Sequence, residues 1–199
     1  MHTLSSRGFS LLLVLAAAVL GTPALAHPHG TMQCGLSVHY DEGQPQRVTG
    51  RLLMDAAHSG QALAQLRDEA SGQLDPARQQ RFLFALKMQM ARFNWLLAAE
   101  TDGQAAELVE TAAPTLLLTP DGRLGLSVDL AVQPKTPAPP GAPWTFACHD
   151  PSWYWVSEFA QPEAPMAITG CARAVAATPL KVSTGPKAGS VQVEVRCAP

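Results

Sequence analysis

From Ser59 to about Glu100 the chain all but loses its β-branched residues, and alanine, leucine, glutamine and arginine replace them. This favours helix, because such side chains give up little rotamer freedom there. Asp75-Pro76 reads as a helix start: an N-cap carboxylate, then a proline suited to the first helical position. Phe82, Leu86, Met90, Phe93 and Leu97 recur at helical spacing and read as core. Ser59 is the expected N-cap of a shorter helix before them. A metal route lined by Met88 and Met90 is the weaker reading, since methionine ordinarily fills core gaps.

On either side of this stretch the period changes to two. Met32, Cys34, Leu36 and Val38 fall on one side of a strand, with Gln33, Ser37 and His39 on the other. Asp41-Glu42-Gly43 turns the chain, and Val48 to Met54 returns it. Thr115 to Leu118 and Leu124 to Val132 flank Pro120-Asp121-Gly122 as a hairpin. Pro134 to Pro143 is a proline-rich loop. Short strands follow at Trp144 to Cys148, Trp153 to Phe159, Ala167-Ile168, around Val175, and Val191 to Val195. The expected fold is α+β: a mainly antiparallel, immunoglobulin-like β-sandwich with a helical insertion around residues 59–100.

The first residues read as an export signal. Arg7 supplies a positive start, Phe9 to Leu20 is nearly unbroken apolar sequence, and Ala24-Leu25-Ala26 is a small-x-small cleavage site. The apolar run is shorter than the roughly 20 residues a membrane span needs. The expected organisation is a signal peptide over 1–26, cleaved after Ala26, and one periplasmic domain over 27–199. No membrane span is expected after cleavage.

The chain has 14 Lys+Arg and 16 Asp+Glu; taking Arg7 away with the signal leaves 13 against 16, a net charge of −3. That balance speaks against nucleic acid, which calls for a basic patch, and against polybasic attachment to lipid. All four cysteines, Cys34, Cys148, Cys171 and Cys197, lie in the mature part. An even number in an exported chain points to disulfides. Of the three possible pairings Cys171 with Cys197 is favoured, both being at strand-like C-terminal segments, and Cys34 with Cys148 then follows. No C-x-x-C spacing supports a zinc-thiolate site.

Cleavage after Ala26 exposes a free amine on His27. The amine and the His27 imidazole can chelate one metal ion, and His29 adds a second imidazole. Imidazole suits zinc, nickel and copper alike. The amine titrates near 7.7–8.0 and histidine near 6.5, so affinity should climb between roughly pH 6 and 8. Pro28 has no amide hydrogen, which forbids chelation through successive backbone amides and leaves an imidazole brace. Further candidate ligands are Asp55 and His58, which share a face if the chain turns helical there, and the adjacent His149 and Asp150. For Asp55 and Asp150 the commoner role is a turn carboxylate. His39 reads as solvated. No G-x-S-x-G elbow, P-loop or dinucleotide fingerprint occurs.

His27-Pro28-His29 after the signal, His149-Asp150-Pro151-Ser152-Trp153-Tyr154, and the Gly170-Cys171 that follows carry a family resemblance. So does Asp55 at the end of the second strand. On these residues the chain resembles a divergent member of the domain of unknown function 1007 family, described as an ABC-type transport system periplasmic component. The family's aspartate four residues after the second histidine is Gln33 here. Its acidic, calcium-loop-like stretch is reduced to Asp68-Glu69-Ala70-Ser71-Gly72, without the alternating carboxylates of a calcium site. The resemblance implies a periplasmic partner of metal-ion transport.

The leading expectation is an accessory protein, not an enzyme, that buffers or delivers zinc, nickel, cobalt or copper to a metal-ion transporter in the inner membrane. His27, His29, Asp55, His58, His149 and Asp150 are its candidate ligands. A copper oxidase using the same brace, with Trp153 and Trp155 on one face, is the second reading. A metal-free module docking on a transporter is the third.

Overall fold

The computed structural model describes residues 30–152, 154–161, 166–176, 179–185 and 187–198. The signal peptide, its cleavage point, His27, His29 and Trp153 lie outside the described residues.

Two strands open the fold, β1 (Gly30–Asp41) and β2 (Gln44–Met54), followed by helices α1 (Ala56–Leu66) and α2 (Pro76–Met90). After a tight turn over Ala91–Leu96 come β3 (Leu97–Thr101), β4 (Gln104–Ala105), β5 (Glu107–Glu110), β6 (Thr115–Leu118) and β7 (Leu124–Gln133). The remaining strands are β8 (Trp144–Cys148), β9 (Trp155–Phe159), β10 (Met166–Thr169), β11 (Arg173–Ala176), β12 (Leu180–Val182) and β13 (Ser190–Ala198).

They form two sheets. One runs β10-β1-β2-β7-β5, with β6 also on β7 and β9 also on β1; the other runs β11-β13-β8-β3-β4, with β12 on β13. Most pairs are antiparallel, as expected. The exception is the outer edge of β1, where β9 and β10 both lie parallel to it, in registers Gly30↔Trp155 and Leu36↔Met166.

Period-two alternation decides which residues fill the core. Met32, Cys34, Leu36, Val38 and Tyr40 of β1 are buried, and Val48, Leu52, Leu126, Val128 and Leu130 join them. Trp144, Phe146, Val191, Val193 and Val195 of the second sheet belong to the same cluster. A smaller cluster of Ala62, Leu63, Leu66 and Leu124, flanked by Phe82, seats the helices on β7.

The expected helical stretch is present, with both ends shifted. Asp55, not Ser59, is the N-cap of α1. Ser59 is buried inside the helix, where its hydroxyl donates to Met54 O and accepts from Leu124 N. Asp75 caps α2 and Pro76 takes its first position. At the far end, Asn94, Trp95 and Leu96 have φ of +50° to +58°, left-handed backbone that stops a helix. Leu97–Thr101 is then strand despite its helix-forming letters. Its alternate burial and its pairing with β8 override local propensity.

Both favoured disulfides are formed, Cys34–Cys148 and Cys171–Cys197. The first joins the two sheets through β1 and β8, and no described cysteine is free. Two disulfides fit an oxidising compartment. Among the described residues no helix is long and apolar enough to cross a membrane.

Candidate metal centre

Asp55 follows the last residue of β2 and caps α1, so its carboxylate must face the first turn. Oδ1 accepts His58 N at 2.9 Å, and Oδ2 accepts Thr31 N at 3.0 Å. The His58 ring, one helical turn on, places Nδ1 3.0 Å from both oxygens. Burial alone would raise the Asp55 pKa. The backbone donors of His58 and Thr31, and the His58 ring beside them, outweigh it and bring the group to about 2. An ionised carboxylate only accepts, so Nδ1 carries the ring proton and Nε2 keeps its lone pair in the neutral imidazole. Among the described residues nothing hydrogen-bonds Nε2. A carboxylate gripping one ring nitrogen while the other is left open is the arrangement that orients histidine ligands.

Two aromatic rings and one glycine surround this pair. The His58 ring meets Trp155 edge-on, centroids 4.7 Å apart, and Tyr154 at 6.1 Å. Tyr154 and Trp155 stand 5.1 Å apart at 67°. Gly30 lies against all of them. A Cβ added there would come within 2.5 Å of the Trp155 ring, 2.6 Å of His58 Cε1 and 2.9 Å of Asp55 Oδ2. Glycine is required here by close approach. The start of β1 is further pinned by Gly30 N donating to Tyr154 O at 3.3 Å.

Asp150 is 3% exposed and opens the turn that follows β8. Its Oδ1 accepts Ser152 N and Oγ at 2.8 and 2.6 Å, and Oδ2 accepts Trp155 N at 2.9 Å. It therefore sets the entry of β9 and holds Trp155 in place beside His58. His149 stands apart from that pair. Its backbone N donates to Leu96 O, and its buried Nδ1 has no partner among the described residues. Burial pushes its pKa down, against the pull of Asp150. Gln33 accepts from Arg123 Nη1. The acidic loop closes on itself, with Asp68 Oδ1 accepting Ala70 N and Ser71 N and Oγ.

Thus the structure brings Asp55 and His58 together and leaves His149 and Asp150 in separate contacts. Among the described residues no three His, Cys, Asp or Glu side chains converge on one point. Gly30 and Tyr154 are the parts of the site that sequence reasoning missed. Nothing in a single glycine or tyrosine foretells a neighbour brought in from another strand.

A groove of about 490 Å³ adjoins this corner, lined by Met32, Met54, Met90, Phe93, Asp150 and Trp155 among others.

The family model described as "Protein of unknown function (DUF1007)" matches residues 12–191 of the chain. A search of curated proteins finds no match.

Proposed function

Because the chain belongs to this family of unknown function, its role has to be read from its own residues, and we propose that it binds a transition-metal ion in the periplasm and buffers or delivers it to a transporter in the inner membrane. The observation that carries this reading is the packing of Gly30 against Asp55, His58 and Trp155. His29 is bonded to Gly30, and neighbouring Cα atoms along a chain lie at most about 3.8 Å apart. The described chain therefore begins, one residue after His29, beside an imidazole that is already oriented.

The donors fit such an ion. His27 brings an amine and an imidazole, His29 a second imidazole, and His58 the open Nε2. All suit zinc, nickel, cobalt or copper. Asp55 acts through His58, fixing the orientation of the ring. The two disulfides suit export.

The test is calorimetric titration of copper, nickel and zinc into protein carrying its native terminus. Tight binding is expected, with large losses on adding one residue before His27 and in His58→Ala. If the extended protein binds as tightly as the native one, the amine is not a ligand. If His58→Ala binds normally, the terminus acts without this corner and the reading fails.

A further inference from the structure

The groove beside the histidine corner has its own chemistry. Three of the six methionines of the chain, Met32, Met54 and Met90, line it together. Met32 and Met54 are cross-strand partners on β1 and β2. Asp55 N donates to Thr31 O, which makes Met32 and Met54 a non-hydrogen-bonded pair, the kind whose side chains lie closest. Met90 reaches the same space from the end of α2 and is 8% exposed. Met88 is 58% exposed and takes no part. All four cysteines are in disulfides, so thioethers are the soft donors that remain.

A second observation points to a cation. Asp150 lines the groove, is 3% exposed, and among the described residues is held only by neutral donors. Among the described residues it makes no ion pair. Arg92 also lines the groove but is exposed, and it is not paired with Asp150. A buried carboxylate without a counter-charge favours a positive guest. Phe93, Tyr154 and Trp155 also line the groove, and aromatic rings attract cations. The groove is larger than an ion needs, but methionine is unbranched with three rotatable bonds and can close on one.

We propose that Met32, Met54 and Met90 form a thioether site for monovalent copper in this groove, with the Asp150 carboxylate balancing its charge. Thioethers select copper(I) over the divalent ions that suit imidazole and amine. The site is therefore separate from the histidine corner, although Trp155 borders both.

The experiment is an anaerobic competition in which the protein, with native terminus and intact disulfides, takes copper(I) from bicinchoninate. Calorimetry with silver(I), a redox-silent mimic, runs beside it. One copper(I) per chain is expected. The Met32→Leu/Met54→Leu/Met90→Leu protein should bind it roughly 100-fold more weakly while its divalent-ion binding is unchanged. His58→Ala should show the converse. Leucine nearly conserves methionine volume; if the triple variant does not fold, Met54→Leu alone, at a half-buried position, must still weaken binding. Failure of the wild type to compete, wild-type affinity in the leucine variants, or loss of copper(I) in His58→Ala would each overturn the site. None of these outcomes bears on whether divalent ions bind at His58.

Discussion

Asp55 and Asp150 stand just past the ends of two strands, and each carboxylate accepts two backbone N–H groups and one side-chain donor. The third donor separates them. For Asp150 it is the Ser152 hydroxyl, so the whole interaction closes a turn. For Asp55 it is an imidazole whose other nitrogen has no hydrogen-bond partner among the described residues. Exposure differs in the same sense: Asp150 is 3% exposed, while the Asp55 side chain is 28% exposed. Equivalent capping geometry thus closes a turn where the carboxylate is sealed, and holds an imidazole in one orientation where it meets solvent.

Replacing each aspartate should separate the two roles. Asp150→Ala leaves Trp155 N and Ser152 N without their acceptor in a sealed turn. It should cost about 2–3 kcal/mol in urea unfolding; a loss no larger than a surface change, about 0.5 kcal/mol, would mean that Asp150 does not hold the turn. Gly30→Ala forces a methyl into His58, Trp155 and Asp55. A cost of about 1–3 kcal/mol is expected, together with weaker divalent-ion binding because the His58 ring must move. Unchanged stability and affinity would show that the corner yields freely.

Asp55→Ala removes an N-cap, worth about 1 kcal/mol, and should weaken metal binding by roughly 10–100-fold. Asp55→Asn keeps an acceptor at the cap but lacks the charge. Comparing thermal melts and affinities of the two variants splits capping from orientation. If both variants match the wild type in affinity, Asp55 does not orient His58.

The smallest effects are in pH. The Asp55 pKa falls from 3.8 to about 2 in the folded chain. The stability this supplies is complete above about pH 4 and is lost as the pH falls from there through 2. Asp55→Asn should flatten that limb of a melting-temperature profile. His149 titrates below its ordinary 6.5 because it is buried. Below 6.5 the unfolded chain takes up the proton more readily than the folded one, so stability falls with decreasing pH. His149→Gln should remove the slope just under pH 6.5 and leave the lower limb intact.

The two aspartates also mark what the sequence could disclose. Local signals were legible: the Asp75-Pro76 start, the alternation of β1, and the hairpin about Pro120-Asp121-Gly122. The pairing of Cys171 with Cys197 was legible because both sit at strand-like segments, Cys197 in β13 and Cys171 between β10 and β11. Residues 97–101 were read as the end of a helical stretch because their strand character comes from β8, about 50 positions away. The same holds at the candidate site. That Asp55 and His58 would share a face followed from their spacing of three, given a helix. That Gly30 and Trp155 would close around them could not follow, because their contact is set by parallel pairing across 125 residues.

That pairing also bears on the order in which the molecule is completed. The β1–β2 hairpin can form as soon as it is made. Its outer edge waits for β9 and β10, and its cysteine waits for Cys148. Contacts of such sequence separation form slowly, since a long loop must close before they return any energy. The entry to β1 is therefore among the last parts to be fastened. A nascent or shortened chain lacking the segment after Cys148 would keep Gly30 against Asp55 and His58 but leave it without the Tyr154 and Trp155 that close over it.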